Sequence, residues 1–332
     1  MPAQRTLVGS TTPLVHVIVV NYNGAAHLPY CLPSIRATEY PNVSILLVDN
    51  ASTDGSADAA DASGTTTLRN SSNLGWSGGN NQGIRQALQA GAAYVVLANN
   101  DIRVHPRWIA EAVVVAESAP DVGVIGFDVH EPQPGDGDRD AGFTAACRAW
   151  SSTQSQPTAS VGGMAMFVRS SVFEELGLID ENFFAYGEEN DFQIRAARAD
   201  YRIVSINVPV WHHGGGSFGR IPFRASLLQT QNNIQLLLKH HTISQLVKSA
   251  VTHVSRRVMG LGRPRPATSV ERRLQSASVA QTIAVLVLAT CGIALKAPAI
   301  LRRRAEDRRR IEAARTKHLG EGWASSLPTA LT

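Results

Sequence analysis

Apolar residues in the first hundred positions come in short β-branched runs that stop at polar turns. Positions 15–20 read Val-His-Val-Ile-Val-Val and end at Asn21-Tyr22-Asn23-Gly24. Positions 43–48 read Val-Ser-Ile-Leu-Leu-Val and end at Asp49-Asn50. Runs of this length and composition predict buried strands. A helix-compatible stretch over 25–37 separates them, and Ala51-Ser52-Thr53-Asp54-Gly55-Ser56 carries the turn and N-cap chemistry that opens another helix. Positions 65–68 predict a third strand. A Gly/Asn-rich loop over 73–81 leads into a helix to about position 90, and a fourth strand over 94–98 stops at Asn99-Asn100-Asp101. Strands alternating with helices imply right-handed crossovers and an α/β domain with a mostly parallel central sheet.

Beyond position 128 the pattern loosens. Residues 128–160 are rich in Gly, Pro, Asp, Ser and Gln and read as one long loop. A strand over 161–168, a helix over 171–176 and a strand pair over 202–211 follow, and from about 224 the pattern is helical and basic.

Polar groups recur where the early strands end: Asn21 and Asn23, Asp49 and Asn50, and Asp101. Ligands of open α/β sheets bind along that edge, so these residues point to one shared site. Asp101 there suits a hard divalent cation, with a diphosphate completing the shell, or else caps its turn. Asp49 is placed to accept a nucleobase N–H, or to cap a helix with Ser52 and Asp54. The loop 73–81 offers backbone N–H groups at a helix N-terminus to phosphate. It lacks the Lys-Ser/Thr ending of a P-loop, and no Gly-x-Gly-x-x-Gly follows the first strand, which argues against a dinucleotide dehydrogenase.

A second cluster, Glu188-Glu189-Asn190-Asp191, precedes an apolar helical pattern at Phe192, Ile194, Ala196 and Ala197. Three carboxylates so close repel one another and fit best at a helix N-terminus, where the dipole favours negative charge. About twenty residues later Trp211-His212-His213 ends an apolar run and meets three glycines. One histidine there is a candidate metal ligand or a satisfied core histidine.

Charge divides the chain. The net +4 combines −8 over residues 1–238, which contain no Lys, with +13 over 239–318 and a further acid at Glu321. The basic part therefore serves a different partner from the acidic part. Cys31, Cys147 and Cys291 share no metal-type spacing and form no disulfide framework, as in a reducing compartment. The polar stretch 1–12 lacks the apolar run of a secretory signal, so cytoplasmic residence is the expectation.

The runs Val19-Val20-Asn21-Tyr22-Asn23, Val48-Asp49-Asn50-Ala51-Ser52-Thr53-Asp54-Gly55-Ser56, Asn73-Leu74-Gly75, Asn99-Asn100-Asp101, Glu188-Glu189-Asn190-Asp191 and His212 stand in order and spacing as in family 2 glycosyltransferases. Over roughly residues 14–240 the chain resembles that family, and rhamnosyltransferase-like bacterial members in particular. The resemblance implies a GT-A fold, a nucleotide-diphospho-sugar donor, Mg2+ or Mn2+, and inversion at the anomeric carbon. It implies that Asp49 contacts the nucleobase and that Asn21 and Asn23 line the same pocket, with Asn50, Asn73 and Asn100 in the donor-binding set. Asp101 is similar to the last acid of the metal-binding Asp-x-Asp motif. His212 matches the histidine that joins metal or diphosphate, with His213 as second choice. Glu189 stands where the family places its catalytic base, flanked by Glu188 and Asp191. Three departures stand out: Asn99 replaces an Asp, Glu189 replaces the usual Asp, and Gln231-Asn232-Asn233 lacks the family's Arg-Asn pair.

These readings give a flexible N-terminus over 1–13, a catalytic domain over 14–238, and a helical, basic, membrane-associated region over 239–332. In the last, a mostly apolar run over 279–295 ends near Arg302-Arg303-Arg304. It is short for a span of about 20 residues and suits an interfacial helix whose Arg-rich continuation lies against anionic lipid. The expected activity moves dTDP-rhamnose or a UDP-sugar to a glycan or lipid-linked acceptor in cell-envelope polysaccharide synthesis, at the inner face of the plasma membrane. Nucleic acid is not an expected partner, since no aromatic interleaving accompanies the basic tail. The competing readings are a nucleotidyltransferase and a non-catalytic nucleotide- or glycan-binding relative.

Overall fold

The computed structural model describes residues 12–132, 141–214, 222–241 and 279–323. They fall into two compact units: the first within 1–73, 79–173 and 203–213, the second within 74–78, 174–202 and 214–332.

The first unit is built on a sheet. Its described strands are β1 (Val15–Asn21), β2 (Val43–Asp49), β3 (Thr66–Arg69), β4 (Tyr94–Asn99), β5 (Ile102–Val104), β6 (Val122–His130), β7 (Ser155–Pro157), β8 (Ala165–Arg169) and β9 (Arg202–His212). The order is β3-β2-β1-β4-β8-β6-β9-β5, with β7 also on β9. Strands β3, β2, β1 and β4 pair in parallel. That is the α/β half expected from the alternating pattern. Beyond β4 the sheet turns antiparallel. Val15, Val17, Ile18 and Val19 are all fully buried and His16 is 7 % exposed, so β1 is covered on both faces, as its mostly apolar run required.

Helix α1 (Leu28–Arg36) buries Leu28, Cys31, Leu32 and Ile35 at the spacing of one helical face. Helix α2 (Ser56–Ala62) follows β2. The stretch 73–81 is largely helical already, because α3 (Gly75–Gln89) begins there. Its glycines serve close packing: a side chain at Gly83 would meet Ile18 at 2.6–2.9 Å, and one at Gly79 would meet Asn50 and Val20 at 3.0 Å. Small residues let α3 approach β1, a reason that sequence periodicity does not reveal.

Helix α4 (Trp108–Ser118) precedes β6. The expected long loop 128–160 also contains regular structure, namely the end of β6, α5 (Ala141–Ala149) and β7. Phe143 alone is buried in α5, and every β7 side chain is exposed. β7 is held by backbone pairing with β9, which leaves no hydrophobic alternation to read. Residues 133–140 of that stretch lie outside the described residues. The expected strand pair 202–211 is one long strand, β9. Helix α6 (Ser170–Leu176) follows β8.

The second unit contains α7 (Glu188–Arg198), α8 (Pro222–His240) and α9 (Val279–Gly320). Phe183, Phe192 and Ala196 are buried here, as are Val285, Ala289, Ile293, Ile300 and Ala314 of α9. The α9 residues are separated by four, four, seven and fourteen positions, which keeps them on one side of the helix.

Candidate active site

In the first unit, the ends of β1, β2 and β4 carry a hydrogen-bonded set of amides, hydroxyls and one carboxylate. Asn21 is fully buried, and its Nδ2 donates to Asp49 Oδ1 at 2.8 Å and to Ser56 Oγ at 2.9 Å. Asn100 Nδ2 donates to Asn21 Oδ1 at 2.8 Å. A Cβ at Gly24 would collide with both amides, so that position has to be glycine. Asp49 Oδ2 accepts the Ser52 N–H at 3.0 Å, and the Ser52 hydroxyl donates to Oδ1. Asp49 therefore does cap its turn. A carboxylate offers about four acceptor positions, and three are used, which leaves one for an outside donor.

Asn23 adopts φ 52°, and its Oδ1 accepts the Thr53 N–H while Ser52 Oγ accepts its backbone N–H. Asn50 Oδ1 accepts from Asn70 Nδ2 at 3.0 Å. Asn73 is half-buried just ahead of α3. Ser52 and Ser56, expected as turn and cap residues, also bind into this set, and Asn70 joins it although no pattern in the sequence singled it out. Only strand register brings their side chains together.

Register also decides the neighbour of Asp101. Ile102 in β5 lies opposite His212 in β9, and the His213 N–H donates to the Asp101 carbonyl at 3.0 Å. That places His212 Nε2 3.4 Å from Asp101 Oδ1, while Nδ1 lies 3.1 Å from Glu131 Oε1. Burial disfavours ionisation of Asp101, but contact with His212 and the nearby charge of His27 hold its carboxyl below the usual range. Burial likewise disfavours the His212 cation, yet Asp101 and Glu131 outweigh it and push the pKa up to about 9. Asp101 is 5 % exposed and its Oδ1 has no hydrogen-bond donor. The His213 ring turns away to His27, 4.9 Å between centroids, and to Trp211.

Without a metal the two carboxylates keep His212 protonated. A divalent ion that displaces its Nε2 proton would find that nitrogen beside the Asp101 oxygen, a donor set that Mg2+ or Mn2+ accepts when phosphate oxygens and water complete the shell. Among the described residues no group of three His, Cys, Asp or Glu side chains forms a ready cage.

The second unit carries the carboxylates. Glu188, Glu189 and Asp191 occupy the first turn of α7, with Gly187 as N-cap at φ 93°. Their environments divide them. Asp191 is fully buried, and its oxygens face Arg195 Nε at 3.1 Å, Lys239 Nζ at 2.7 Å and His240 Nε2 at 2.8 Å. Burial opposes its ionisation, but those partners hold its carboxyl far below the usual range. Its charge is thus matched inside the fold, which sets its environment apart from that of the two glutamates beside it.

Glu188 is pushed well above the ordinary value by burial and by the charge of Glu189, and its Oε2 has no hydrogen-bond partner. Burial raises Glu189 too, although its Oε2 accepts the Gly187 N–H at 3.0 Å and its Oε1 accepts from Asn190 Nδ2 at 3.1 Å. Here desolvation outweighs the helix dipole, which alone would favour the charged form. Glu189 is only partly buried. A carboxylate with raised proton affinity and an open side is suited to take a proton.

The family model for Glycosyl transferase family 2 matches residues 16–176. The chain is 30% identical over 250 residues to the N-acetylglucosaminyl-diphospho-decaprenol L-rhamnosyltransferase of Mycobacterium tuberculosis, covering 64% of this chain and 80% of that one. This chain is a family 2 glycosyltransferase. Glycosyltransferase AglE of Haloferax volcanii is 28% identical over 225 residues, covering 64% of this chain and 70% of that relative.

The glycosyltransferase also shares its fold with the mannosyltransferase PcManGT from Pyrobaculum calidifontis, solved with GDP-Man and Mn2+. That likeness has a TM-score of 0.53 at 19% identity and covers 95% of this chain and 89% of that one. S. aureus TarS 1-349 in complex with UDP gives a TM-score of 0.53 at 14% identity, covering 93% and 92% of the two chains. The glycosyltransferase fold is GT-A, with the parallel half of the sheet carrying the Asn21–Asp49–Asn100 set.

Proposed function

We propose that this glycosyltransferase moves one sugar from a nucleotide-diphospho-sugar to a hydroxyl of a glycan or lipid-linked acceptor, with inversion and with Mg2+ or Mn2+. The observation that carries this is the Asp101–His212 pair beside Asn100, Asn21 and Asp49: a diphosphate-and-metal donor set next to a nucleobase acceptor. Asp49 uses its remaining acceptor position for the ring N–H that uracil and thymine share, which supports either a UDP or a dTDP donor. The relative's name, an L-rhamnosyltransferase on a decaprenol-linked sugar, supports rhamnose and a lipid-linked acceptor.

Asp101 and His212 would hold the divalent ion, which supplies Lewis-acid stabilisation of the leaving diphosphate. In the displacement the acceptor oxygen forms a bond to the anomeric carbon, and the bond from that carbon to the diphosphate oxygen breaks with its electron pair. The acceptor proton passes to the carboxylate of Glu189. One displacement inverts the anomeric centre. Asn99, where the family has an acid, leaves Asp101 as the single charged protein ligand. Binding of the ion should therefore depend on the donor's phosphates.

Incubation with a panel of nucleotide-sugars and Mn2+ tests the reading. Transfer or slow donor hydrolysis with release of nucleoside diphosphate is expected. Release of sugar 1-phosphate, the leaving group when the α-phosphate is attacked, would favour a nucleotidyltransferase, and binding without any turnover a non-catalytic relative. Asp101→Asn should abolish the Mn2+-dependent part of the donor's thermal shift and leave the metal-free part. A donor that binds only the native state raises its apparent stability, so the loss is directly readable. An unchanged Mn2+-dependent shift would remove Asp101 from the metal site.

We also propose that the enzyme works at the cytoplasmic face of a membrane. Helix α9 contains a stretch, Ala284–Gly320, long and apolar enough by composition to cross a membrane. One stripe of it is buried, however, while Leu286, Val287, Leu288, Leu295 and Leu301 are exposed, Leu295 by 86 %. Exposed Arg302, Arg308 and Arg309 follow. An apolar face continuing into arginines favours lying on anionic lipid over spanning it. Co-sedimentation with vesicles containing anionic lipid should fall in high salt and in Leu295→Asp. Equal binding by that variant to neutral vesicles in high salt would refute the contact.

A further inference from the structure

The turn that delivers Glu188 and Glu189 is strained, and α8 supplies what holds it. Tyr186 has φ 74° and Gly187 φ 93°, so two successive residues are left-handed, one of them bulky. A non-glycine residue there costs on the order of 1–3 kcal/mol and persists only where its surroundings over-determine it. Here the surroundings include one side chain. Asn232 is 3 % exposed, and its Nδ2 donates to both the Ala185 and the Tyr186 carbonyls at 2.7 Å each.

We propose that Asn232 is a positioning residue for the reaction, whose amide fixes the backbone immediately ahead of the Glu188-Glu189 pair and so sets where the base stands. The proposal rests on the assignment of Glu189 as the base. An NH2 group has two protons and can serve two carbonyls at once; a hydroxyl cannot, and a carboxylate has none to give. The amide is also uncharged. An arginine or lysine reaching the same carbonyls would bring a cation toward the carboxylates and favour their ionised form, against the burial that makes them basic.

Seven positions along the same face of α8, Lys239 grips Asp191 at 2.7 Å, on the far side of the pair. The helix thus holds the carboxylate turn at both ends, by an amide in front and an ion pair behind. Leu236, between them, lies 3.2 Å from where a Cβ of Gly187 would be, so the turn is also backed by packing.

The experiment compares Asn232→Leu, which keeps volume and removes both donors, with Asn232→Gln, which keeps the NH2 on a longer arm. All rates are taken per folded molecule, with the folded fraction from thermal unfolding. Asn232→Leu should lower kcat 10- to 100-fold with KM for the donor within twofold, and move the acid limb of the kcat–pH profile. Asn232→Gln should recover part of the loss. If Asn232→Leu proves too unstable, a kcat loss in Asn232→Gln at unchanged donor KM supports the positioning role in its place. Wild-type kcat per folded molecule in both variants would overturn the proposal, as would a parallel loss of donor affinity. Near wild-type turnover in Glu189→Gln would instead overturn the base assignment, so the two failures are told apart.

Discussion

Glu189→Gln should lower kcat by a factor of about 10²–10⁴, the usual contribution of a positioned general base, while donor affinity stays near wild type. Affinity is spared because the proposed donor contacts, Asp49, Asn21, Asp101 and His212, are untouched by the substitution. Glutamine keeps the shape and one of the two neighbouring hydrogen bonds, since its NH2 cannot accept, and it cannot take the proton. The pH profile gives a second check. A base works only when deprotonated, so the rate rises with pH through its folded pKa. Burial places that pKa above the ordinary value, so the acid limb of kcat should lie above about 4.3, the value for a free Glu. In Glu189→Gln the limb should vanish. Glu188→Gln is the control: Glu188 is 5 % exposed and closed to an acceptor hydroxyl, so its loss should be the smaller of the two. A larger loss in Glu188→Gln would transfer the role to Glu188.

Lys239→Met should destabilise the fold by about 3–5 kcal/mol, the typical cost of removing one partner from a buried charge group. The Lys239 side chain is fully buried, with Asp180 and Asp191 each at 2.7 Å and Asp307 at 3.0 Å. Removing it leaves three buried carboxylates, with Arg195 beside Asp191 and Arg303 beside Asp307 as the nearby cations. The sign of the pH dependence should change with it. In the wild type, Asp191 is held below its unfolded value, so its contribution is present above about pH 4 and is lost as pH falls through the folded pKa. In the variant, burial without Lys239 raises the carboxyls, the native state binds more protons than the unfolded one, and stability grows as pH falls. Urea unfolding at pH 7.5 and 5.0 should therefore show a smaller gap between variant and wild type at pH 5.0. A constant gap would mean that Lys239 contributes through packing over Phe183 alone.

The division of the acidic cluster shows where sequence reading stops. Glu188, Glu189 and Asp191 are alike in type and spacing, and their place at a helix N-terminus was legible from the apolar pattern behind them. Their chemistry was not, because it depends on neighbours from α8 and α9 that no local pattern announces. Lys239 and Asp307 read as members of a solvated basic region, yet both are buried against Asp191 or its partner. Gln231-Asn232-Asn233 was notable only for a missing arginine, whereas Asn232 has the firmest hold on the strained turn. Glu131 lay in a stretch read as a featureless loop and proves to face His212.

By itself the sequence determined the parallel half of the sheet, since short, mostly apolar runs ending at polar turns and separated by helical stretches are buried best between helices. It also determined which residues stand at the strand ends, because a strand's last polar residue is local information. The tertiary structure decided what those residues meet. The antiparallel register of β5 on β9 brings His212 to Asp101, and the packing of α8 against the start of α7 leaves one glutamate pair raised and its neighbouring aspartate fully ionised. The reason is physical: element type follows from short-range pattern, whereas proton affinity and metal-binding capacity follow from desolvation and from charges within a few ångströms, which only the folded chain assembles.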